Sequence, residues 1–225
     1  MFSHAFAAGA LLGTAISPLV CVSAAERSPV AAAEDVVARV TPSAKGAVLF
    51  HLNPDQGNKI TISGIAGGIR VEASDVRRLV AGYGWYLKNI AKVHFSWNGN
   101  RITLPSPLPV PASPVTVESP WNIVFAYNYC TLSYTAAFWD WNRWQREIDF
   151  LALNGFTHAL VTAGLEKTWE DFLTGLGYPR EKALRFIPNP AFAAWWNMGN
   201  LGGHGGPLSQ QQINKMAQMG RRIVS

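Results

Sequence analysis

The residues in this 225-residue chain best suited to chemistry follow one apolar segment. Ile123 to Tyr127 reads as a buried strand, and it runs directly into Asn128, Tyr129, Cys130, Thr131 and Ser133. These side chains are an amide, a phenol, a thiol and two hydroxyls, groups that can hold a polar ligand. In a parallel α/β barrel, Asn128 to Cys130 would stand at the carboxyl end of that strand, where such barrels place their active sites. A second stretch, Phe186 to Pro207, carries Trp195, Trp196, Asn197, Met198, Asn200 and His204 without any periodic pattern. Long irregular segments in compact domains are often functional. The acids are weaker candidates. Glu147 and Asp149 fall in the middle of an expected helix, where solvation or helix pairing at the surface is the expected role. Glu166 follows the second expected strand and reads as a loop or helix-capping residue. No catalytic residue is assigned.

The elements that must position these groups alternate from Trp121 onward as strand, helix, strand, helix. Trp141, Trp144, Ile148 and Leu151 share one face of a helix that Asp140 can cap and Gly155 can end. Thr157 to Thr162 is a second strand. Trp169, Phe172, Leu173 and Leu176 line the next helix at i, i+3, i+4 and i+7. Gln210 to Arg222 reads as a helix, and Ile223-Val224 as the start of a third strand. This spacing predicts parallel strands joined by crossover helices.

Residues 26–112 read as a separate, small α+β unit. Expected are a helix over Ala31–Val40, strands near Ala47–Phe50, Lys59–Ser63 and Ile69–Glu72, and a helix opened by Ser74. That helix presents Val76, Leu79, Val80, Tyr83, Leu87, Ile90 and Ala91 on one face. Gly82 and Gly84 inside it suggest close packing, because each costs roughly 1 kcal/mol against Ala. A hairpin of Val93–Trp97 and Ile102–Leu104 turns around Asn98-Gly99-Asn100. Six prolines between residues 105 and 120 predict an extended linker, with the second unit starting at residue 113.

Composition excludes several classes. The net charge of +5 divides into +4 (ten Lys/Arg, six Asp/Glu) for residues 1–112 and +1 (nine, eight) for the rest, without clustering. A nucleic-acid partner is therefore not expected. Residues 1–25 hold no Lys, Arg, Asp or Glu, and Val22-Ser23-Ala24 near their end fits a small-x-small cleavage pattern, which reads as a cleaved secretory signal peptide. No later segment approaches the ~20 apolar residues of a membrane span, so no membrane association is expected after cleavage. Cys21 and Cys130 are the only cysteines, which argues against a disulfide scaffold and against a Cys-based zinc site. The Gly199–Gly206 run lacks the Gly-Lys-Ser/Thr ending of a phosphate loop. Neither metal nor cofactor is expected. The nine Trp read mainly as core, with the remainder free to act as sugar-stacking platforms.

The same residues carry a resemblance. Asn128-x-Cys130-Thr131-x-Ser133-Tyr134, then Trp139-Asp140-Trp141-x-x-Trp144-x-Arg146-Glu147-Ile148-Asp149 and Ala152-Leu153-Asn154-Gly155, resemble the opening of the alpha-N-acetylglucosaminidase barrel. The likeness continues in Ala194-Trp195, in Met198-Gly199-Asn200-Leu201 and in Gly206-Pro207-Leu208, and more weakly before residue 112. It implies an α/β fold, in which a small α+β amino-terminal domain precedes the first βα units of an incomplete (β/α)8 TIM-type barrel. It implies a retaining, two-carboxylate hydrolase that removes terminal α-linked N-acetylglucosamine from glycans. It also implies a secreted or lysosomal/vacuolar location, and the full-length protein could form a homo-oligomer. The family includes the lysosomal enzyme of heparan sulfate breakdown. Asn128, Cys130, Trp195 and Met198 match positions that line the family's sugar pocket, and Asn200 is a further candidate. Glu166 matches the Glu of the family's Gly-Gln-Glu, with Leu165 replacing Gln. The family's two catalytic Glu lie beyond residue 225, so this chain reads as an amino-terminal fragment that is inactive alone. Two other readings stay open: another glycosidase on the same scaffold, such as a β-hexosaminidase-like enzyme, and a non-catalytic carbohydrate-binding or structural protein.

Overall fold

The alternating apolar residues of the first hundred positions assemble one sheet. A computed structural model describes residues 28–202 and 206–225. The expected signal segment, residues 1–25, lies outside the described residues. Strands β1 (Val48–Leu52), β2 (Lys59–Ile65) and β3 (Gly68–Ala73) pair in the order β1-β3-β2, with β1 parallel and β2 antiparallel to β3. Their period of two turns Ile60, Ile62, Ile69 and Val71 inward. Helix α1 (Ala31–Val40) adds Val36, Val37 and Val40 to the same core, and α2 (Val76–Asn89) adds Leu79, Val80, Tyr83, Tyr86 and Leu87.

Burial of the two tyrosines is made tolerable by partners. The Tyr83 hydroxyl lies 2.6 Å from Thr41 Oγ1, and Tyr86 donates to the Pro109 carbonyl at 2.9 Å. Burial pushes both phenols up to about 12. Asp75, rather than Ser74, caps α2 by accepting from Arg78 N at 3.0 Å. The Ser74 hydroxyl instead donates to the Gly57 carbonyl at 2.6 Å. The hairpin also shifts from expectation. Strands β4 (His94–Ser96) and β5 (Gly99–Arg101) pair Ser96 with Gly99, so Trp97-Asn98 forms the turn and Gly99-Asn100 belong to the strand.

The proline-rich stretch ends in a strand that the sequence reading assigned to the linker and the second unit. β6 (Val115–Glu118) pairs antiparallel with β2, so the first sheet continues past residue 112. The reason is pairing: β2 has a free edge, and Val115 and Val117 alternate to fit it.

The second part is built on a βαβ unit. β7 (Phe125–Ala126) and β8 (His158–Ala159) are parallel, and α4 (Trp141–Leu153) connects them. Both strands are shorter than expected. Ile123 and Phe125, expected to be buried, are 66% and 57% exposed, because among the described residues β7 has one neighbouring strand and its alternate side chains point outward. Asp140 caps α4 as expected, accepting from Arg143 N at 2.9 Å. Trp144 is buried against Leu132 and Ala136.

Helix α4 is also the seam with the first unit. Glu147 and Asp149, expected at the surface, are 0% and 4% exposed. Asp149 takes a two-pronged bond from Arg39 of α1, at 2.9 and 2.7 Å. Glu147 accepts from Trp97 Nε1 at 3.1 Å and from Arg143 at 2.8 Å. Close packing at Gly84 has its cause here: a Cβ at that position would be driven into the Leu153 carbonyl of α4.

Helices α5 (Leu165–Gly175), α6 (Arg180–Phe186), α7 (Ala193–Asn197) and α8 (Gln210–Val224) complete the described chain. α7 lies within the stretch that carried no periodic signal, and α6 ends where that stretch begins. Ile223-Val224 continue α8 instead of opening a third strand, because the helix runs uninterrupted from its Ser209 cap. The apolar stripe expected on α5 is only partly inside: Phe172 and Leu176 are 55% and 61% exposed, whereas Glu166 and Glu170 are buried. α6 and α8 supply the reason. Arg180 Nε sits 3.0 Å from one Glu170 oxygen, and Gln210 Nε2 donates to the other at 3.0 Å. These partners allow the acidic side of α5 to pack inward.

Two expected outcomes follow from this packing. Gly84→Ala should lower the melting temperature by the equivalent of about 1–3 kcal/mol, the range for overpacking, despite the better helix propensity of Ala; an unchanged melt would remove α2–α4 contact as a constraint. Glu166 concerns pH. Burial raises its carboxyl above the ordinary 4.5, partly countered by the Gly164 amide donating to it at 3.2 Å. A carboxyl raised in the folded state contributes its full stability below 4.5 and loses it as pH rises through the raised value. Glu166→Gln should therefore gain melting temperature over the wild type at neutral pH and lose that advantage near pH 4, measured by thermal melts across the range.

Candidate functional site

The site candidates lie on two segments that a single hydroxyl joins. The first begins where β7 ends. Tyr127 adopts a left-handed backbone with φ 73°, which a bulky L-residue rarely does. The chain then enters a helical turn, α3 (Tyr129–Thr131), whose N-cap is Asn128. Asn128 Oδ1 accepts from the Thr131 amide at 3.1 Å, and the Asn128 backbone amide donates back to the Thr131 hydroxyl oxygen at 3.4 Å, which closes a capping box; the two side chains also meet at 3.1 Å. A wider turn over Leu132–Ala136 follows.

The second segment is α7 with the turn after it. Ser133 is buried and bridges the two. Its hydroxyl donates to the Pro190 carbonyl at 2.9 Å and accepts from the Ala194 amide at 3.0 Å. α3 packs against α7 as a result. The Trp195 and Tyr134 rings meet in a T-shaped contact, 4.8 Å between centroids and 89° between planes. After α7, the Met198 amide bonds to the Ala194 carbonyl at 3.1 Å, and the Asn200 amide to the Trp195 carbonyl at 2.8 Å. Gly199, with φ 77°, makes that reversal possible.

The structure thus brings the segment of Asn128 and Cys130 against the segment of Trp195, Met198 and Asn200. Asn128, Met198 and Asn200 are exposed, and Cys130 and Trp195 are half-buried. The capping box uses the acceptor of Asn128 and leaves its Nδ2 available as a donor. The two packed segments carry a hydrogen-bond donor, an aromatic ring and two soft sulfur groups. This combination suits a sugar ring, with one polar edge and one apolar face.

Concavity alone points elsewhere. A cleft of about 470 Å³ lies at the amino ends of β7 and β8, between Trp85, Lys88, Trp121 and Thr157. It contains none of the candidates and no carboxylate. Its walls are the seam between the two parts of the chain, and it offers no group for acid–base work. Beneath α7, Glu166, Trp169, Trp196 and Asn197 border a much smaller space. Trp169 donates to Asn197 Oδ1 at 3.3 Å and packs edge-on against Trp196, so these aromatics are core.

Ser133 and Tyr127 were missed as individual contributors. Ser133 had only its place in the matched motif as a signal. The left-handed turn at Tyr127 had none, because a residue type that avoids this conformation does not announce it. Among the described residues, no group of three or more His, Cys, Asp or Glu is placed to hold a metal ion, and no helix is long and apolar enough to cross a membrane.

Comparison with known proteins places this geometry. Residues 31–110 match the alpha-N-acetylglucosaminidase (NAGLU) N-terminal domain, and residues 124–225 match the alpha-N-acetylglucosaminidase (NAGLU) tim-barrel domain. Human alpha-N-acetylglucosaminidase is 37% identical over 161 residues, which cover 72% of this chain and 22% of that protein. Among solved structures, a family 89 glycoside hydrolase from Clostridium perfringens in complex with 2-acetamido-1,2-dideoxynojirmycin superposes with a TM-score of 0.82 at 29% identity, covering 87% of this chain and 23% of that one. A doubly substituted variant of the Clostridium perfringens enzyme, in complex with its substrate GlcNAc-alpha-1,4-galactose, gives the same TM-score at 28% identity and the same coverage. The chain spans about a fifth of the length of these relatives. Two consecutive stretches matched in order to two consecutive domains of one family leave one conclusion: the chain belongs to the alpha-N-acetylglucosaminidase family.

Proposed function

We propose that this chain is part of a glycoside hydrolase that removes terminal α-linked N-acetylglucosamine from a glycan, and that Asn128, Cys130, Trp195, Met198 and Asn200 contribute to the pocket for that sugar. One observation carries the reading: the two segments that hold the family's motif residues pack together, α3 against α7, with the Asn128 side-chain amide donor unclaimed by its own cap. A relative of the same fold holds a GlcNAc-bearing substrate. In this reading β7, α4, β8 and α5 are the first units of a (β/α)8 barrel, preceded by the α+β unit, and the protein is secreted or delivered to a lysosome or vacuole.

Each pocket group has a physical task. Asn128 Nδ2 donates to a sugar hydroxyl, and Trp195 stacks on the apolar face of the pyranose. Met198 and Cys130 pack around the acetamido methyl. The linkage sets the mechanism. In an α-N-acetylglucosaminide the leaving group lies cis to the 2-acetamido group, so the substrate's own amide cannot attack from the back. The enzyme must supply the nucleophile, and a retaining reaction with two carboxylates answers that requirement. The four buried acids described here are committed elsewhere: Glu147, Asp149 and Glu170 to ion pairs, and Glu166 to its own helix start. The resemblance puts the catalytic Glu pair beyond residue 225, and the pocket residues bind and orient.

Two expectations follow. Full-length protein should release the aglycone from an aryl α-N-acetylglucosaminide and not from the β-anomer, whereas residues 28–225 alone should give no turnover above a buffer blank. Release from the β-anomer instead, or turnover by residues 28–225, would overturn the assignment. At Asn128 the two jobs of the side chain separate. Asn128→Asp keeps an N-cap but removes the donor, so kcat/KM should fall about ten- to a hundredfold with the melting temperature held. Asn128→Ala should show the same kinetic loss plus about 1 kcal/mol of stability from the lost cap. Normal kinetics in Asn128→Asp would make Asn128 purely structural.

A further inference from the structure

We infer that Glu147 is a positioning residue for the sugar pocket, holding the Tyr127 ring so that the left-handed turn before Asn128 is fixed, and tying that turn to Trp97 of the amino-terminal unit. This rests on the pocket reading given above.

The geometry begins with burial. The Glu147 side chain has no solvent exposure, so each of its oxygens needs a protein donor. Oε1 receives two: the Tyr127 hydroxyl, in a short bond, and Trp97 Nε1 at 3.1 Å. Oε2 receives Arg143, one turn earlier on α4, at 2.8 Å. The three donors come from three places: the end of β7, the β4–β5 turn and α4 itself. Burial and the adjacent Glu147 carboxylate push the Tyr127 phenol well above its usual range, so it serves as a donor throughout the physiological range.

Tyr127 is where position matters. Its left-handed backbone is unfavourable for a residue with a Cβ and persists only when its surroundings over-determine it. The hydroxyl bond to Glu147 is the polar restraint on that ring. The next residue is Asn128, and the capping box that orients its amide starts there. Releasing the ring removes the restraint on the direction in which the chain leaves β7.

The amino-terminal unit takes part through the β4–β5 hairpin. Trp97 packs on Phe150 of α4 at 5.3 Å between centroids, besides its bond to Glu147. Arg146 of α4 reaches back to Asn100 Oδ1 at 2.8 Å and lies over the Phe95 ring at 4.8 Å. The hairpin therefore closes over the carboxylate that holds Tyr127, which gives the amino-terminal unit a role in the pocket beyond support.

Cys130 offers a readout independent of activity, because its half-buried thiol lies within α3. In the full chain carrying Cys21→Ser, so that Cys130 is the single thiol, labelling by an aromatic disulfide reagent should run about fivefold or more faster in Tyr127→Phe and in Glu147→Gln, the scale of losing one hydrogen bond. Trp97→Phe should fall between these and the wild type. Val71→Ala, a core change in the first sheet, should lower the melting temperature without changing the labelling rate. Wild-type rates in Tyr127→Phe would overturn the inference, and so would equal acceleration in Val71→Ala, which would mean general loosening. Should Glu147→Gln fail to fold, Tyr127→Phe decides, since it deletes only a hydroxyl. In full-length protein, Tyr127→Phe should also lower kcat/KM for the α-anomer several-fold. An inactive wild type would sink the proposed function, and the labelling rates would still decide the positioning role.

Discussion

Two carboxylates on α4, Glu147 and Asp149, are the constraint around which the two parts of the chain are arranged. A buried ionised group without partners costs far more than a helix can return, so each must be met by donors of fixed position. Asp149 is met by Arg39 of α1, and Glu147 by Trp97, Tyr127 and Arg143. These donors come from both sides of α4, and satisfying them forces the amino-terminal sheet unit and the βαβ unit into one relative placement. The close backbone approach of Gly84 to Leu153 then brings α2 and α4 together. Two such acids, two residues apart, fall on different sides of a helix, which is why one clamps α1 and the other the hairpin and β7.

The candidate sugar site inherits its order from that clamp. Tyr127 connects the Glu147 network to the turn of Asn128, and Ser133 connects the same segment to α7. Neither bridging residue is offered to a ligand. They allow exposed groups, Asn128 and Met198 among them, to hold a defined arrangement without being buried. A site on short turns gains precision only from such support, since the turns themselves contain few bonds. Asn128 shows the economy of the arrangement: its side-chain oxygen stabilises the turn and its side-chain nitrogen takes no part in the cap.

The membership of the chain in the alpha-N-acetylglucosaminidase family was legible because its signal is carried by rare residues in fixed order. Trp139-Asp140-Trp141, Trp144 and Arg146-Glu147-Ile148-Asp149 make an ungapped pattern in which chance agreement is improbable. Helices with clean periodicity were equally legible: α1, α2, α4 and α8 all stand within a few residues of expectation. The polar halves of these patterns were misleading. Glu147, Asp149, Glu166 and Glu170 lie inside, while Ile123, Phe172 and Leu176 are largely exposed. Local hydrophobicity ranks side chains by their cost in isolation, and a partner from a distant element changes that cost.

What the amino-acid order determined by itself was therefore local and compositional: which stretches become helix or strand, where Asp140 starts a helix, and which residues carry the family's motif. The period of a pattern and the capacity of a side chain to bond its own backbone act within a few residues, so they can be read along the chain. What only the tertiary structure decided was pairing at a distance. β6 joins β2 across more than fifty residues, Arg39 finds Asp149 across 110, and Trp97 finds Glu147 across 50. The same holds for the left-handed turn at Tyr127, which local preference opposes and three converging donors at Glu147 sustain. Long-range electrostatic satisfaction has no period and no fixed spacing, and it becomes visible only when the folded chain brings the partners together.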